Sequence, residues 1–200
     1  VGFGYTVMKI FGRIYCLKRI YLFFSRIRVH QLETLNDDHS PNSSVRLLDG
    51  ADVDDVVREI KTLGYSLKVH LNNSCLESML KYADSKQCYA YGDPSLGFFL
   101  PDKAKCEEVI EKDILVARYF NFKDDDTFRD FVNSPVLEGI AKGYLGNAAR
   151  RVATQLWWSF PADVDDATRS EAAHFFHRDV DAWAFLKFFF YLSDVGPGDG

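Results

Sequence analysis

The chain predicts an α+β fold in which helices buttress a sheet, and three observations carry that expectation. Over residues 52–63, 74–83 and 124–145, apolar side chains recur at the three- and four-residue spacing of a helical face. Residues 65–71, 114–120, 151–160 and 173–195 are instead short runs rich in β-branched and aromatic residues, the composition of strands. The helical patterns come first and the longest strand patterns last, an order that sets helices against one side of a sheet.

The elements follow in order. Residues 8–29 place Ile10, Ile14, Leu17, Tyr21 and Phe24 on one face of a basic helix. That pattern suits an anionic membrane surface, a partner protein, a targeting segment or packing on its own domain, and no function is assigned to it. Residues 1–35 are therefore taken as a basic helical extension. Residues 36–50 follow as a linker that opens with the polar run NDDHSPNSS, and residues 51–200 form the main domain.

From Asp52, a helix is expected with Val53, Val56, Val57, Ile60 and Leu63 inward and Gly64 as its stop. Asn73 or Ser74 is expected to cap a second helix through Leu76, Met79, Leu80 and Ala83. Residues 91–101 read as a loop or short hairpin, and residues 124–132 as a short helix with acids at its N-terminal end. Ser134 and Pro135 open a further helix over residues 136–145, with Leu137, Ile140, Ala141 and Tyr144 inward and Gly146 at its end. Residues 161–171 read as an acidic loop.

Composition narrows the function. With 200 residues, 47% of them hydrophobic and 15% aromatic, the chain buries one good core. The formal charge of -5 hides an asymmetry, because residues 1–30 hold six Lys or Arg and no acid. The acidic remainder argues against nucleic acid as a partner, since phosphate binding needs a basic face, and points to a small-molecule substrate or a protein. Cys16, Cys75, Cys88 and Cys106 form no C-x-x-C pair, so buried free thiols in a reducing, cytoplasmic setting are expected. No run reaches the roughly 18 apolar residues of a membrane-spanning helix. The acid clusters at residues 124–126 and 163–166 lack the spacing and glycine of a calcium loop, and are read as helix N-terminal charge and solvated loop.

The chemistry concentrates in residues 173–195, AHFFHRDVDAWAFLKFFFYLSDV. On an extended backbone, His177 and Asp179 project to one side while Arg178 and His174 turn to the other. An imidazole beside a carboxylate can fill two positions of a divalent metal, and two histidines with one carboxylate make the facial triad of non-haem iron(II) oxygenases. A salt-bridged turn is the competing reading of the pair. Trp183, Phe185, Phe189 and Tyr191 share one parity of the run with Lys187, and Phe188, Phe190 and Leu192 share the other, as for a strand covered on both faces.

Several blocks in sequence then point one way: the helix and Gly-Tyr of residues 53–65, SPVLEGIAKGYLG, QLWWS, and FHRD followed by FLKFFFYLSDV. From about Val53 to its C-terminus the chain resembles the phytanoyl-CoA dioxygenase family of iron(II)- and 2-oxoglutarate-dependent oxygenases. The resemblance implies a double-stranded β-helix, a cupin-like jelly roll, incomplete in this chain, with N-terminal helices packed on one sheet. It implies Fe(2+), 2-oxoglutarate and O2 as cofactor and co-substrates, with His177 and Asp179 as metal ligands. The family's distal His and 2-oxoglutarate-binding Arg would follow Gly200, so the chain is expected to be a piece of the domain without turnover of its own.

The implied reaction couples oxidative decarboxylation of 2-oxoglutarate to hydroxylation of an unactivated C–H bond in a small or lipid-like molecule. Asp179 fills the position that related halogenases leave to halide, which favours hydroxylation. Lys187, a charge inside an apolar run, is a candidate co-substrate or substrate contact, with an edge lysine reaching water as the alternative. Gln155 and Trp157 share a strand face and are candidates for the same pocket, while Trp158, on the opposite face, packs under the helices. A non-catalytic jelly-roll module that binds a partner is the alternative function.

Overall fold

The computed structural model describes residues 48–50, 52–171 and 184–196. The basic N-terminal segment and all but the end of the 36–50 stretch lie outside these. The architecture is α+β: helices and two small antiparallel sheets, one of two strands and one of four. Strands and helices alternate from the start of the described chain, which corrects the expected order of helices first and strands last.

Strand β1 (Leu48–Gly50) forms at the end of the linker stretch and pairs with β2 (Val69–Leu71), in the register Leu48↔Leu71, Asp49↔His70 and Gly50↔Val69. Between them runs helix α1 (Val53–Leu63). The Asp52 carboxylate accepts from the Asp55 N–H at 3.0 Å, and Gly64 closes the helix in the left-handed region at φ 88°. Val56, Val57 and Ile60 are buried as the periodicity predicts, but Leu63 is 57% exposed.

The reason lies in helix α5 (Pro135–Leu145), which packs along α1 with Gly139 against Val53 and Gly143 against Val57. This register advances four residues at a time on both helices, so α5 ends a turn before it would reach Leu63. Gly143 permits the close approach, since a Cβ there would stand 2.8 Å from a Val57 methyl. Val56, Val57, Ile60 and Ile140 make a small core of their own, joined by half-buried Leu186.

The larger core lies between one face of the four-stranded sheet and helices α2 (Asn73–Ser85) and α4 (Asp126–Val132). Helix α2 starts earlier than expected because the Asn72 side chain accepts from the Cys75 N–H at 2.7 Å, making Asn72 the cap in place of Asn73 or Ser74. Its Cys75, Met79 and Ala83 face Phe122 and Phe128 and the sheet residues Cys88, Ala90, Phe98, Ala117 and Tyr119.

The sheet order is β4-β3-β5-β6, with β3 (Cys88–Ala90), β4 (Gly97–Phe98), β5 (Val116–Arg118) and β6 (Trp157–Ser159) antiparallel throughout. β3 and β4 form the short hairpin that residues 91–101 allowed. Asp93 holds its turn by accepting from the Ser95 N–H at 2.9 Å.

Four segments differ from expectation. Helix α3 (Lys103–Ile110) was not foreseen; it buries no residue fully and has only a weak apolar stripe, with Cys106 and Ile110 half-buried against the core. The strand expected over residues 151–160 shortens to β6, because Arg151 turns to the end of α4 and donates to the Val132 carbonyl and to Asn133. The expected acidic loop of residues 161–171 contains helix α6 (Asp166–Glu171), initiated by Asp165, whose carboxylate accepts from the Thr168 N–H at 2.8 Å.

The described end of the long strand candidate, residues 184–196, joins neither sheet. Period-two alternation survives in part: Leu186, Phe190 and Leu192 turn inward while Phe185, Phe189 and Tyr191 are exposed, but Phe188, of the inward parity, is exposed as well. The inward side chains go to separate neighbours, Leu186 to the α1–α5 core and Leu192 to the larger core. Phe190 meets Phe131 edge-on at 5.0 Å. One face is thus covered, not two. Among the described residues no helix is long and apolar enough to cross a membrane.

One carboxylate ties a helix to the sheet. Glu107, on α3, accepts from the Lys103 ammonium and, at 2.8 Å, from the N–H of fully buried Ile114 at the entry to β5. Burial pushes its carboxyl up, but the bonds from Lys103 and Ile114 and the Lys103 charge outweigh burial and hold it below its ordinary value. A depressed folded pKa stabilises above the unfolded value and is lost as pH falls through the folded one. Glu107→Gln is expected to lower the unfolding free energy at neutral pH by about 1 kcal/mol, a figure kept small because the pair borders solvent. In urea titrations the difference from the native protein should vanish in acid; a difference independent of pH would refute the assignment.

Candidate functional site

Alternation along the four-stranded sheet separates its side chains into two sets. Cys88, Ala90, Phe98, Ala117 and Trp158 face the helices. Tyr89, Gly97, Arg118 and Trp157 therefore face the other way, and the register sets them abreast: Gly97↔Tyr89, Tyr89↔Arg118, Arg118↔Trp157. Directly opposed side chains on one sheet face are near neighbours. A row of aromatic, cation, aromatic thus crosses the sheet on the face turned away from α2 and α4.

Packing fixes each member of the row. The Tyr89 ring lies over Gly97, where a Cβ would come within 2.9 Å of it, and meets Phe120 with ring centroids 4.8 Å apart. The Arg118 side chain passes over the hairpin turn at Gly92, 3.1 Å from the position of a Cβ there, and its guanidinium donates to Gln155 Oε1 at 3.4 Å. Trp157 is 41% exposed and meets the Phe189 ring edge-on at 6.4 Å.

Trp158, one residue on, points into the core, where its indole N–H donates to the Tyr119 hydroxyl at 2.8 Å. That hydroxyl in turn donates to the Ala83 carbonyl of α2 at 2.6 Å. This chain of two bonds seats β6 on the helices and so fixes which way Trp157 faces. Burial pushes the Tyr119 phenol far above its usual range, so it stays a donor at any physiological pH.

Of the residues singled out in the sequence, Gln155 and Trp157 come together on this open face. Lys187 is two residues from Phe189 on the adjoining segment; its side chain is exposed and its ammonium stands 5.5 Å from the Phe185 ring centre. His177 and Asp179, with His174, lie outside the described residues. Among the described residues no three His, Cys, Asp or Glu side chains gather as a metal site. The acid clusters have other work: Asp125 caps α4 by accepting from the Thr127 N–H, and Asp126 pairs with Arg129.

Sequence reasoning passed over Tyr89, Arg118 and Phe120. The signal was present in VARYF, where Arg118 and Phe120 share a parity that Ala117 and Tyr119 do not. No protein-family model, curated protein or solved structure matches this chain.

Proposed function

We propose that the chain is part of an iron(II)- and 2-oxoglutarate-dependent dioxygenase that hydroxylates a small or lipid-like molecule. The observation that supports this most is the division of the four-stranded sheet into a helix-packed face and an open face where Gln155 and Trp157 stand side by side. In a jelly roll the open face of such a sheet is the interior wall of the barrel. Phe189, ten residues after Asp179, rests on Trp157, so the chain that follows the His177–Asp179 pair returns to that wall.

In this reading His177 and Asp179 hold the iron, and Gln155, Trp157 and Lys187 line the surroundings of the co-substrate. When bound, the metal and 2-oxoglutarate supply the oxidising chemistry toward O2. The protein's own part is positional. Gln155 offers a fixed amide and Trp157 an apolar wall, while Lys187 offers a cation for a carboxylate. A cytoplasmic setting suits the free thiols Cys75, Cys88 and Cys106.

The test is anaerobic iron(II) titration of the full-length protein by calorimetry. Saturable binding of one iron is expected, weakened at least about tenfold by His177→Ala or Asp179→Ala, as for loss of a metal ligand. Unchanged affinity in both variants would sink the metal assignment and leave the non-catalytic jelly-roll module as the function.

A further inference from the structure

We propose that the open sheet face is a binding site for an organic carboxylate with a flat apolar body, and that Arg118 is its anion-binding group. The inference goes beyond the oxygenase reading, because it needs no metal and uses none of the residues assigned to iron.

The first ground is the state of the Arg118 charge. Arg58 and Arg129 each pair with an aspartate of their own helix, while Arg151 and Arg169 donate to backbone carbonyls. Among the described residues, no carboxylate lies within ion-pairing distance of Arg118, whose polar contact there is the neutral Gln155 amide at 3.4 Å. Acids outnumber bases in the chain, 29 to 24, and Arg118, exposed on the sheet and facing a neutral amide, has its charge open to an outside anion. Its planar fork suits the two oxygens of a carboxylate, and the Gln155 side chain steadies it from one side.

The second ground is what flanks it. Tyr89 and Trp157 stand directly across from Arg118 on the two neighbouring strands, and Phe120 extends the wall at 40% exposure. The rings of Tyr89 and Trp157, on the strands to either side of Arg118, offer apolar faces to the body of a ligand held at the guanidinium. A purely hydrated anion would gain nothing from them. An acid with an aromatic or similarly flat body uses both the fork and the rings.

The third ground is the backbone beneath. Gly92 and Gly97 lie under the Arg118 and Tyr89 side chains, and a Cβ at either would press on them, at 3.1 Å and 2.9 Å. Gly92 also has φ +75°, so any side chain there is strained as well as crowded. The two glycines let both side chains lie down across the face.

The experiment uses metal-free full-length protein and calorimetry with three probes: 4-phenylbutyrate, its uncharged amide, and butyrate. 4-Phenylbutyrate should bind saturably, and the amide and butyrate at least about tenfold more weakly, the loss of one charge-assisted contact or of one stacking surface. Arg118→Gln, a substitution at an exposed position, should weaken 4-phenylbutyrate by at least about tenfold and leave the circular dichroism unchanged. Trp157→Leu should weaken 4-phenylbutyrate and leave butyrate as it was. Equal affinity for acid and amide, equal affinity in Arg118→Gln, or absence of saturable binding would each overturn the proposal. Because no iron is present, none of these outcomes bears on His177 and Asp179.

Discussion

Tyr119→Phe is expected to destabilise the protein by about 3 kcal/mol, far more than loss of one surface hydroxyl, because it orphans the buried Ala83 carbonyl and the half-buried Trp158 indole N–H at once. The Tyr119 side chain is 4% exposed and its ring already packs against Tyr82, with centroids 6.2 Å apart, so phenylalanine keeps the shape. What it removes is the oxygen that donates to the Ala83 carbonyl at 2.6 Å and accepts from the Trp158 indole at 2.8 Å. Each group left without a partner in the interior costs about 1–3 kcal/mol, and two of them set the magnitude. Urea unfolding followed by tryptophan fluorescence reads the change, and a loss under about 0.5 kcal/mol, the size of an ordinary surface substitution, would contradict it.

A double-mutant cycle separates the two bonds. Trp158→Phe removes the indole N–H, and Tyr119→Phe in that background should cost less than it does alone, since only the Ala83 carbonyl remains to be orphaned. Additive losses would mean that the hydroxyl does not join the two groups. The coupling matters beyond stability, because Trp158 anchors the strand whose other face presents Trp157 and, two residues earlier, Gln155.

The legible parts of the sequence are those where one local rule meets one packing partner. Asp52 and Gly64 bracket α1 by capping chemistry alone, and Pro135 and Gly146 mark the ends of α5, where Ser134 takes the cap position without a side-chain cap bond. Trp157 and Trp158 part to opposite faces because strand alternation does not depend on the neighbouring strand's identity. Local rules failed where tertiary contact decides. Leu63 has the periodicity of a core residue, yet it is exposed because the partner helix ends first. Residues 184–192 have a strand's composition and alternation, but their inward side chains meet different elements, and no ladder forms among the described residues.

The candidate site shows the same division. Gln155 and Trp157 could be placed on a common face from their spacing. Arg118 and Tyr89 could not be joined to them, because only the β3–β5–β6 register reveals that residues so distant in sequence stand abreast. Resemblance to an oxygenase family drew the eye to His177 and Asp179, which lie outside the described residues. The face described in detail is therefore defined by sheet topology, not by a motif.

The second large effect is an alkaline loss of stability set by two core thiols. Cys75 is 1% exposed and Cys88 fully buried, and desolvation pushes both thiols up from an ordinary value of 9.0 to about 11. For Cys88, its backbone contact and the Tyr119 hydroxyl pull the other way, and nearby Cys106 adds to the rise. A thiol is neutral when protonated, so a raised folded pKa means that the folded state keeps its proton while the unfolded chain loses it. Above pH 9 the unfolded state binds fewer protons, and linkage then makes the unfolding free energy fall as pH rises. The thiols' share of the stabilisation is whole below the unfolded value, declines between pH 9 and 11, and levels off once the folded thiols ionise, while the raised phenols of Tyr119, Tyr82 and Tyr91 add a further decline that begins near their ordinary value of 10.0. Each thiol contributes about 2–3 kcal/mol to that decline. Urea titrations from pH 8 upward should therefore show the decline begin near pH 9 with the thiols, which together account for about 5 kcal/mol of it, before the phenols add theirs. The Cys75→Ala/Cys88→Ala variant, though less stable at neutral pH for want of two packed sulfurs, should lose most of the slope between pH 9 and 10, below the range in which the phenols ionise. A slope that persists unchanged in that variant would assign the alkaline transition to other groups, and a flat profile in the native protein would mean that neither thiol is shielded from water as the core places it.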